Sequence, residues 1–354
     1  MGVNDPLYYA GENVKPRVAV DILALEQTAA SGLFGFCDIL TSVGVVWETL
    51  VAGTRAAPRF DVRVVSATGK PFRCAGGAGV TPAASLREAS GADIVLVPAI
   101  HASPSSHAEH ITAELRAWLT TMSRAGASVV SACTGAIVLA ECGLLDDAEA
   151  TTHWAYRNLF RRLYPRVRLR LERNLCTSGR NEQIVTSGGS MAWQVLALYL
   201  IARHCGPEYA LQTAKFWLLP NGNELQSPYI SMPNEKLHED AEIRRSQNWI
   251  EKHFAVHNPV DSMLEHARLP RTTFARRFRK ATGYTPMEYV QTIRVERAKA
   301  LLERTSSSVE HVGGQVGYED IASFRRLFKR MTSLTPTQYR RSFGDRRFER
   351  FGAR

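Results

Sequence analysis

Ser128-Val129-Val130-Ser131-Ala132 is an apolar run that passes directly into Cys133-Thr134-Gly135-Ala136 and then into a helical pattern reaching Ala140. A strand that turns sharply into a helix at a nucleophilic residue flanked by small ones has the form of a nucleophile elbow, which holds one side chain over the carboxyl ends of the strands. Amides at the start of the helix would favour the thiolate and could bind an anion. Downstream, Thr151-Thr152-His153-Trp154 offers a histidine, and a Cys/His pair is a nucleophile with its base. Plainer roles stay open. Cys133 could be a small buried apolar residue, and His153 could pack and cap beside Trp154. His101 follows the apolar run 93–98 and would fall where strand ends line a crevice. Cys142, on the helix after the elbow, is expected in the core or on the helix surface.

A second kind of chemistry lies near the other end. Shifting the chain by 50 residues superposes Phe274 on Phe324, Arg276 on Arg326, Phe278 on Phe328, Lys280 on Arg330, Thr285 on Thr335, Pro286 on Pro336 and Tyr289 on Tyr339. Two phenylalanines four residues apart share a helix face and belong to a core, so the arginine between them projects elsewhere. An outward arginine can form bidentate bonds to guanine, worth about 1 to 3 kcal/mol of discrimination. Short amphipathic segments, 260–267 and 309–316, precede the two copies, which differ by one residue in the turn. Each copy therefore reads as helix, tight turn, helix. The segment from Pro286 to Glu303 is long enough for a helix of roughly 27 Å, which could hold two reading heads about one duplex turn apart. Asn258-Pro259, Thr285-Pro286 and Thr335-Pro336 place a capping side chain before a first-turn proline. Ser307 with Glu310 fits a capping box.

These residues need elements to hold them, and the rest of the chain supplies two patterns. Up to about Leu219, apolar runs at 17–23, 60–66, 93–98, 128–132 and 183–186 alternate with helix-length segments, which implies a mostly parallel sheet with helices on both faces. Apolar residues at helical spacing over 193–200 fit a packing or dimer helix. Beyond 240 the periodicity is helical throughout. Between them, Pro220-Asn221-Gly222-Asn223, Ser227-Pro228 and Met232-Pro233-Asn234 mark a linker. Charge divides at the same place. Positions 241–354 carry 23 of the 44 basic and 12 of the 34 acidic residues, a net of +11, leaving −1 for the first 240. A near-neutral body with a basic module suits a protein of which one part meets a polyanion.

The 354 residues are 45% hydrophobic and 22% charged, with no apolar stretch near the roughly 18 to 20 residues that a membrane span requires. The six cysteines contain no Cys-x-x-Cys pair, which argues against a zinc site or a disulfide scaffold. Met1 to Pro16 shows no secretory pattern, and a cytoplasmic location is expected.

The region from about Ile243 to Phe343 resembles the DNA-binding domain of AraC/XylS-family transcriptional regulators. The resemblance rests on Gly317-Tyr318, Phe324-Arg325-Arg326-Leu327-Phe328-Lys329 and Thr335-Pro336-Thr337-Gln338-Tyr339-Arg340. Ser333 replaces the glycine usual before the Thr-Pro element, which the first copy keeps as Gly283. The resemblance implies base-facing roles for Thr272, Ala275 and Arg276 in the first unit and for Ile321, Ala322, Arg325 and Arg326 in the second. Arg279, Lys280 and Lys329 are placed for phosphates, which give affinity but little sequence information.

Residues from about Pro16 to Pro207, with Cys133-Thr134-Gly135-Ala136, a Leu-Leu-Asp, Ala150-Thr151-Thr152-His153-Trp154 and Ile184-Val185-Thr186-Ser187-Gly188-Gly189, resemble the class I glutamine amidotransferase-like (PfpI-like) domain of GlxA-type regulators. This implies a flavodoxin-like fold, effector sensing and a pocket containing Cys133, Thr134, His153, His101, Ser187 and Gly188. Enzymes on this fold add an acidic residue near the start of the first helix. Here that position falls at Gly32, with Glu26 and Asp38 out of register.

The expected organisation is a sensor and dimerisation domain over 16–218, a linker over 219–240, a DNA-binding domain over 241–343 and a basic tail over 344–354. The expected function is a transcriptional regulator that binds double-stranded promoter DNA and answers to a small, nitrogen-containing effector. Its further expected partners are a second copy of the chain, through the α/β domain, and RNA polymerase; no membrane, cofactor or metal is expected. The alternative is a Cys133/His153 hydrolase or amidase with a DNA-binding module attached.

Overall fold

The computed structural model describes residues 17–103, 111–189, 191–219, 226–231 and 238–344. Met1 to Pro16, most of the breaker residues of the expected linker and positions 345–354 of the expected basic tail lie outside the described residues. The chain divides into two compact units, Met1–Gln226 and Ser227–Arg354.

The first unit is built on a seven-stranded sheet. Its strands are β1 Val18–Leu23, β2 Phe60–Ser66, β3 Ala84–Ser85, β4 Ile94–Val97, β5 Ser128–Ala132, β6 Leu175–Ser178 and β7 Ile184–Ser187, in the order β6-β7-β5-β4-β1-β2-β3. All neighbours are parallel except β6 with β7. The five apolar runs of the sequence are β1, β2, β4, β5 and β7. The sequence reading missed the edge strands β6 and β3. One is short of branched apolar residues and the other has two residues, so neither carries a pattern.

Strand residues alternate between two cores. Val95, Val97 and Val129 pack with Leu115, Trp118 and Leu119 of α2 (Ala113–Arg124) and with the residues of α3 (Gly135–Glu141). Ile94, Leu96 and Val130 pack on the other face with Leu33 and Phe36 of α1 (Ala30–Ser42) and Trp193, Leu196 and Leu200 of α5 (Trp193–Cys205). The 193–200 stretch therefore fills its own core. Its Trp193 lies edge-on to Phe36 at 5.5 Å, over Gly35. Helices α4 (Arg157–Leu163) and α6 (Pro207–Phe216) complete the unit. In the middle of β1, Asp21 is fully buried and is paired by its directly opposite residue on β2, Arg63.

The second unit is all helical: α7 Ala241–Ile250, α8 Pro259–Ala267, α9 Arg271–Thr282, α10 Pro286–Arg304, α11 Val309–Gln315, α12 Ile321–Thr332 and α13 Pro336–Phe343. Phe274, Phe278 and Tyr289 form one core, and Phe324, Phe328 and Tyr339 the other. The tyrosine ring stands edge-on to the second phenylalanine in both, at 5.2 Å and 5.5 Å. Thr285 and Thr335 close complete capping boxes with Glu288 and Gln338. Two cap assignments change. Asn258 is left-handed and makes no side-chain cap bond. The cap of α11 is Ser308, whose hydroxyl accepts from the His311 amide, not Ser307 one residue earlier. Ser333 keeps the left-handed C-cap that Gly283 provides in the first copy, with φ of 60° against 77°, so the substitution leaves the turn intact.

The expected linker is partly built structure. Gln226 is buried in the first unit, and Ser227–Tyr229 forms a turn of 3-10 helix packed on α12.

Candidate nucleic-acid interface and cysteine crevice

In each half of the second unit, a short helix (α8 or α11) precedes a longer one (α9 or α12) whose buried and exposed residues alternate at helical spacing. Phe274, Phe278, Phe324 and Phe328 point inward, while Thr272, Ala275, Arg276, Arg279 and Lys280 on α9 and Ala322, Arg325, Arg326 and Lys329 on α12 are exposed. Ile321 differs. It is half-buried, and its Cδ1 lies so near Gly313 that a Cβ there would come within 2.9 Å of it, so it helps to pack the turn.

The two cationic faces are held differently. Arg325 pairs with Glu310 of α11. Arg326 donates to the Ser323 hydroxyl at 2.7 Å and lies 3.6 Å from Asp320, the N-cap of its own helix. The first copy begins at Pro270, which offers no side-chain oxygen, and its short-helix acid Asp261 pairs with Arg271 instead. Arg277, which the repeat aligns with the buried Leu327, turns away from the exposed face. It donates to both carboxylate oxygens of Asp240, at 2.9 and 2.6 Å, and to Glu242 at 2.7 Å. These hydrogen bonds and charges hold its guanidinium above its ordinary pKa and Asp240 below the usual carboxylate range. Nothing in the spacing distinguishes Arg277 from Arg276; only the contrast with Leu327 in the other copy does.

Arg294 of α10 fixes the geometry between the halves. Its guanidinium donates to the carbonyls of Phe254 (2.8 Å) and Val256 (2.9 Å) on the first-half side and Gly317 (3.0 Å) in the turn of the second. Three backbone acceptors on one planar cation make a rigid joint.

In the α/β unit the elbow exists. Cys133 has φ of 54° and is 4% exposed, on the tight turn between β5 and α3. Its amide donates to the Ser187 carbonyl at 2.8 Å. The turn can lie this low because residue 135 is glycine: a Cβ there would sit 2.4 Å from the Val97 carbonyl oxygen. Thr134 spends its hydroxyl on Ile100, accepting from the amide at 2.9 Å and donating to the carbonyl at 2.6 Å. It therefore ties the elbow to the segment that follows β4. His101 follows and is exposed, with its amide bonded to the Gln27 carbonyl.

The His153 segment does reach the elbow. The Thr152 hydroxyl donates to the Cys133 carbonyl at 2.9 Å, and Tyr156 is close enough that a Cys133 thiolate would raise its pKa, after the larger effect of burial. His153 itself caps the short helical turn that follows it. Its Nδ1 accepts the Ala155 amide at 3.2 Å, and its ring lies 5.2 Å from that of Trp154. Burial lowers its pKa. With Nδ1 used as an acceptor, the neutral ring carries its proton on Nε2 and has no lone pair left for a thiol. Gly32 is buried on α1, and Glu26 and Asp38 are exposed. Burial pushes Cys37, Cys142 and Cys176 up to about 11, as expected for packed thiols.

Ser187 is fully buried, and its hydroxyl has no hydrogen-bond partner among the described residues. A buried polar group without a partner is unusual enough to require a cause. Sequence reasoning missed Gln226, whose carboxamide bonds to backbone groups on both sides of His153 and beside Gly188. A lone glutamine among linker-type residues gives no periodic signal.

Among the described residues no group of acids, histidines or cysteines could hold a metal ion, and no helix is long and apolar enough to cross a membrane.

Comparison with known proteins agrees with both halves. Residues 43–203 match the DJ-1/PfpI family and residues 263–342 match the family described as a helix-turn-helix domain. The HTH-type transcriptional regulator CdhR of Pseudomonas aeruginosa is 26% identical over 304 residues, covering 86% of this chain and 88% of that protein. The HTH-type regulator GbdR of the same species is 24% identical over 278 residues, covering 78% and 73%. GlxA of Rhizobium meliloti, also an HTH-type regulator, is 27% identical over 233 residues, covering 64% and 69%.

Proposed function

We propose that this chain, a member of the AraC-type helix-turn-helix regulators that carry a DJ-1/PfpI-family domain, controls transcription by binding promoter DNA through α9 and α12 while its α/β unit senses a small nitrogen-containing metabolite. The observation that carries the DNA-binding part is the repetition of one exposed cationic helix on two equivalent cores, joined by α10 and locked by Arg294. Arg276, Arg325 and Arg326, with Thr272, Ala275 and Ala322, read base edges; Arg279, Lys280 and Lys329 hold phosphates.

The sensing site is the crevice at the carboxyl ends of β4, β5 and β7, lined by Cys133, His153, Ser187 and Gly188. The unpartnered Ser187 hydroxyl supports it, since a ligand would satisfy that group. The hydrolase alternative is weaker because Nδ1 of His153 is committed to a cap and Gly32 stands where enzymes on this fold would carry the orienting acid. In this reading Cys133 shapes the pocket and does not attack a substrate. The protein acts in the cytoplasm as a dimer formed through the α/β unit, and RNA polymerase is its partner at the promoter.

A thermal-shift screen of amino acids, betaines and polyamines tests the sensor. A true effector raises the unfolding temperature by mass action, and Ser187→Ala abolishes the shift. An unchanged response in that variant would remove the crevice from the account.

A further inference from the structure

Gln226 is 4% exposed and uses every hydrogen-bonding direction of its carboxamide. Oε1 accepts from the amides of Trp154 (3.0 Å) and Gly189 (3.1 Å), and Nε2 donates to the carbonyls of Thr152 (3.1 Å) and Leu171 (2.9 Å). Three loops thus meet on one side chain. Two of them carry crevice residues: Thr152 and Trp154 flank His153, and Gly189 follows Ser187 and Gly188. The fit leaves no room at residue 188, where a Cβ would lie 2.6 Å from Nε2.

The next residue begins the other unit. Ser227–Tyr229 packs on α12, the Tyr229 ring meets Phe343 edge-on at 5.1 Å, and the buried Lys299 ammonium donates to the Ile230 carbonyl. Consecutive residues are therefore fixed by different bodies, Gln226 by the crevice loops and Ser227–Ile230 by the second helix-turn-helix.

We propose that Gln226 is a latch through which the state of the crevice sets the state of the DNA-binding unit. A ligand that shifts the 152–154 or 188–189 loop takes partners away from the carboxamide. A buried amide without partners is strongly disfavoured, so the side chain leaves, and the chain that enters the Ser227–Ile230 turn moves with it. The proposal rests on the DNA-binding reading above.

The test uses the full chain and a duplex that the wild type selects from a random-sequence pool. Gln226→Ala deletes the amide, and Gly188→Ala keeps it but drives a methyl into Nε2. Both variants should speed hydrogen exchange at the Trp154 and Gly189 amides at least tenfold. Both should also change the Kd for the selected duplex at least fivefold, in the same direction. Faster exchange with a Kd changed less than fivefold would make Gln226 a structural staple only and overturn the proposal, as would opposite directions or unchanged exchange in Gly188→Ala. If Gln226→Ala does not fold, Gly188→Ala decides on the same two readings. Failure of the wild type to select any duplex would instead remove the DNA-binding reading, and the latch with it.

Discussion

The Thr134 hydroxyl and the backbone of Ile100 satisfy one another twice, the hydroxyl accepting from the Ile100 amide at 2.9 Å and donating to its carbonyl at 2.6 Å. Both residues are buried, so water cannot replace either bond. Thr134→Val keeps the shape and strands two backbone groups, and it should cost about 2 to 4 kcal/mol. Thr134→Ser, which keeps the hydroxyl, should cost about 1 kcal/mol or less, mostly for the lost methyl. Urea unfolding of the two variants checks the difference.

Ser333 offers a prediction in the other direction. A non-glycine residue in the left-handed region is strained by roughly 1 to 2 kcal/mol, and Ser333 holds φ of 60° where the first copy has Gly283. Ser333→Gly should stabilise the helical unit by about 1 kcal/mol, and Gly283→Ser should destabilise it by a similar amount. Thermal unfolding followed at the helix signal measures both.

Two histidines give the α/β unit a pH signature. Burial lowers the pKa of His153, and burial together with the Arg203 charge lowers that of His204. As pH falls below about 6.5 the unfolded chain takes up these protons while the native state resists them, so stability declines until the native pKa values are passed. His153→Asn retains a cap for the Ala155 amide and removes one titration. Its stability should fall less steeply between about pH 6.5 and 5. A slope equal to that of the wild type would show that His153 is not held neutral.

The two cationic helices should not contribute equally to base reading. Arg326 must give up Ser323 and Asp320 to reach a base, and Arg325 must give up Glu310, whereas α9 begins without an acidic cap at Pro270. Such exposed pairs oppose DNA binding only weakly, but the difference has a direction. Arg276→Ala should relax preference at one base position by about 1 to 3 kcal/mol, and Arg326→Ala by less. Lys329→Ala should weaken all sequences alike and reduce the salt slope by about 1. Footprinting and anisotropy titrations over a range of salt separate the three.

The sequence carried those parts that repeat or alternate. The five buried strands are legible because both faces are covered, which makes each strand a mostly apolar run, broken in β1 and β2 by Asp21, Asp61 and Arg63. The tandem helices are legible because Phe274 and Phe278 recur as Phe324 and Phe328. The elbow could be read because Gly135 permits a close approach that few other residues would. The roles of Thr134, Arg277, Arg294 and Gln226 could not be read. Each acts by hydrogen-bonding to a backbone or a carboxylate distant in sequence, and such partners leave no local pattern. The linker was misjudged at Gln226 for the same reason, since proline and glycine around it signal turns but say nothing of a buried amide.

Selection of duplex DNA by the intact chain tests the central claim most directly. A random pool passed over the full-length protein at moderate salt should yield a recurrent sequence, bound with an affinity that falls steeply as salt rises and that loses its preference in Arg276→Ala. No enrichment over the pool, and no binding even at low salt, would contradict the account.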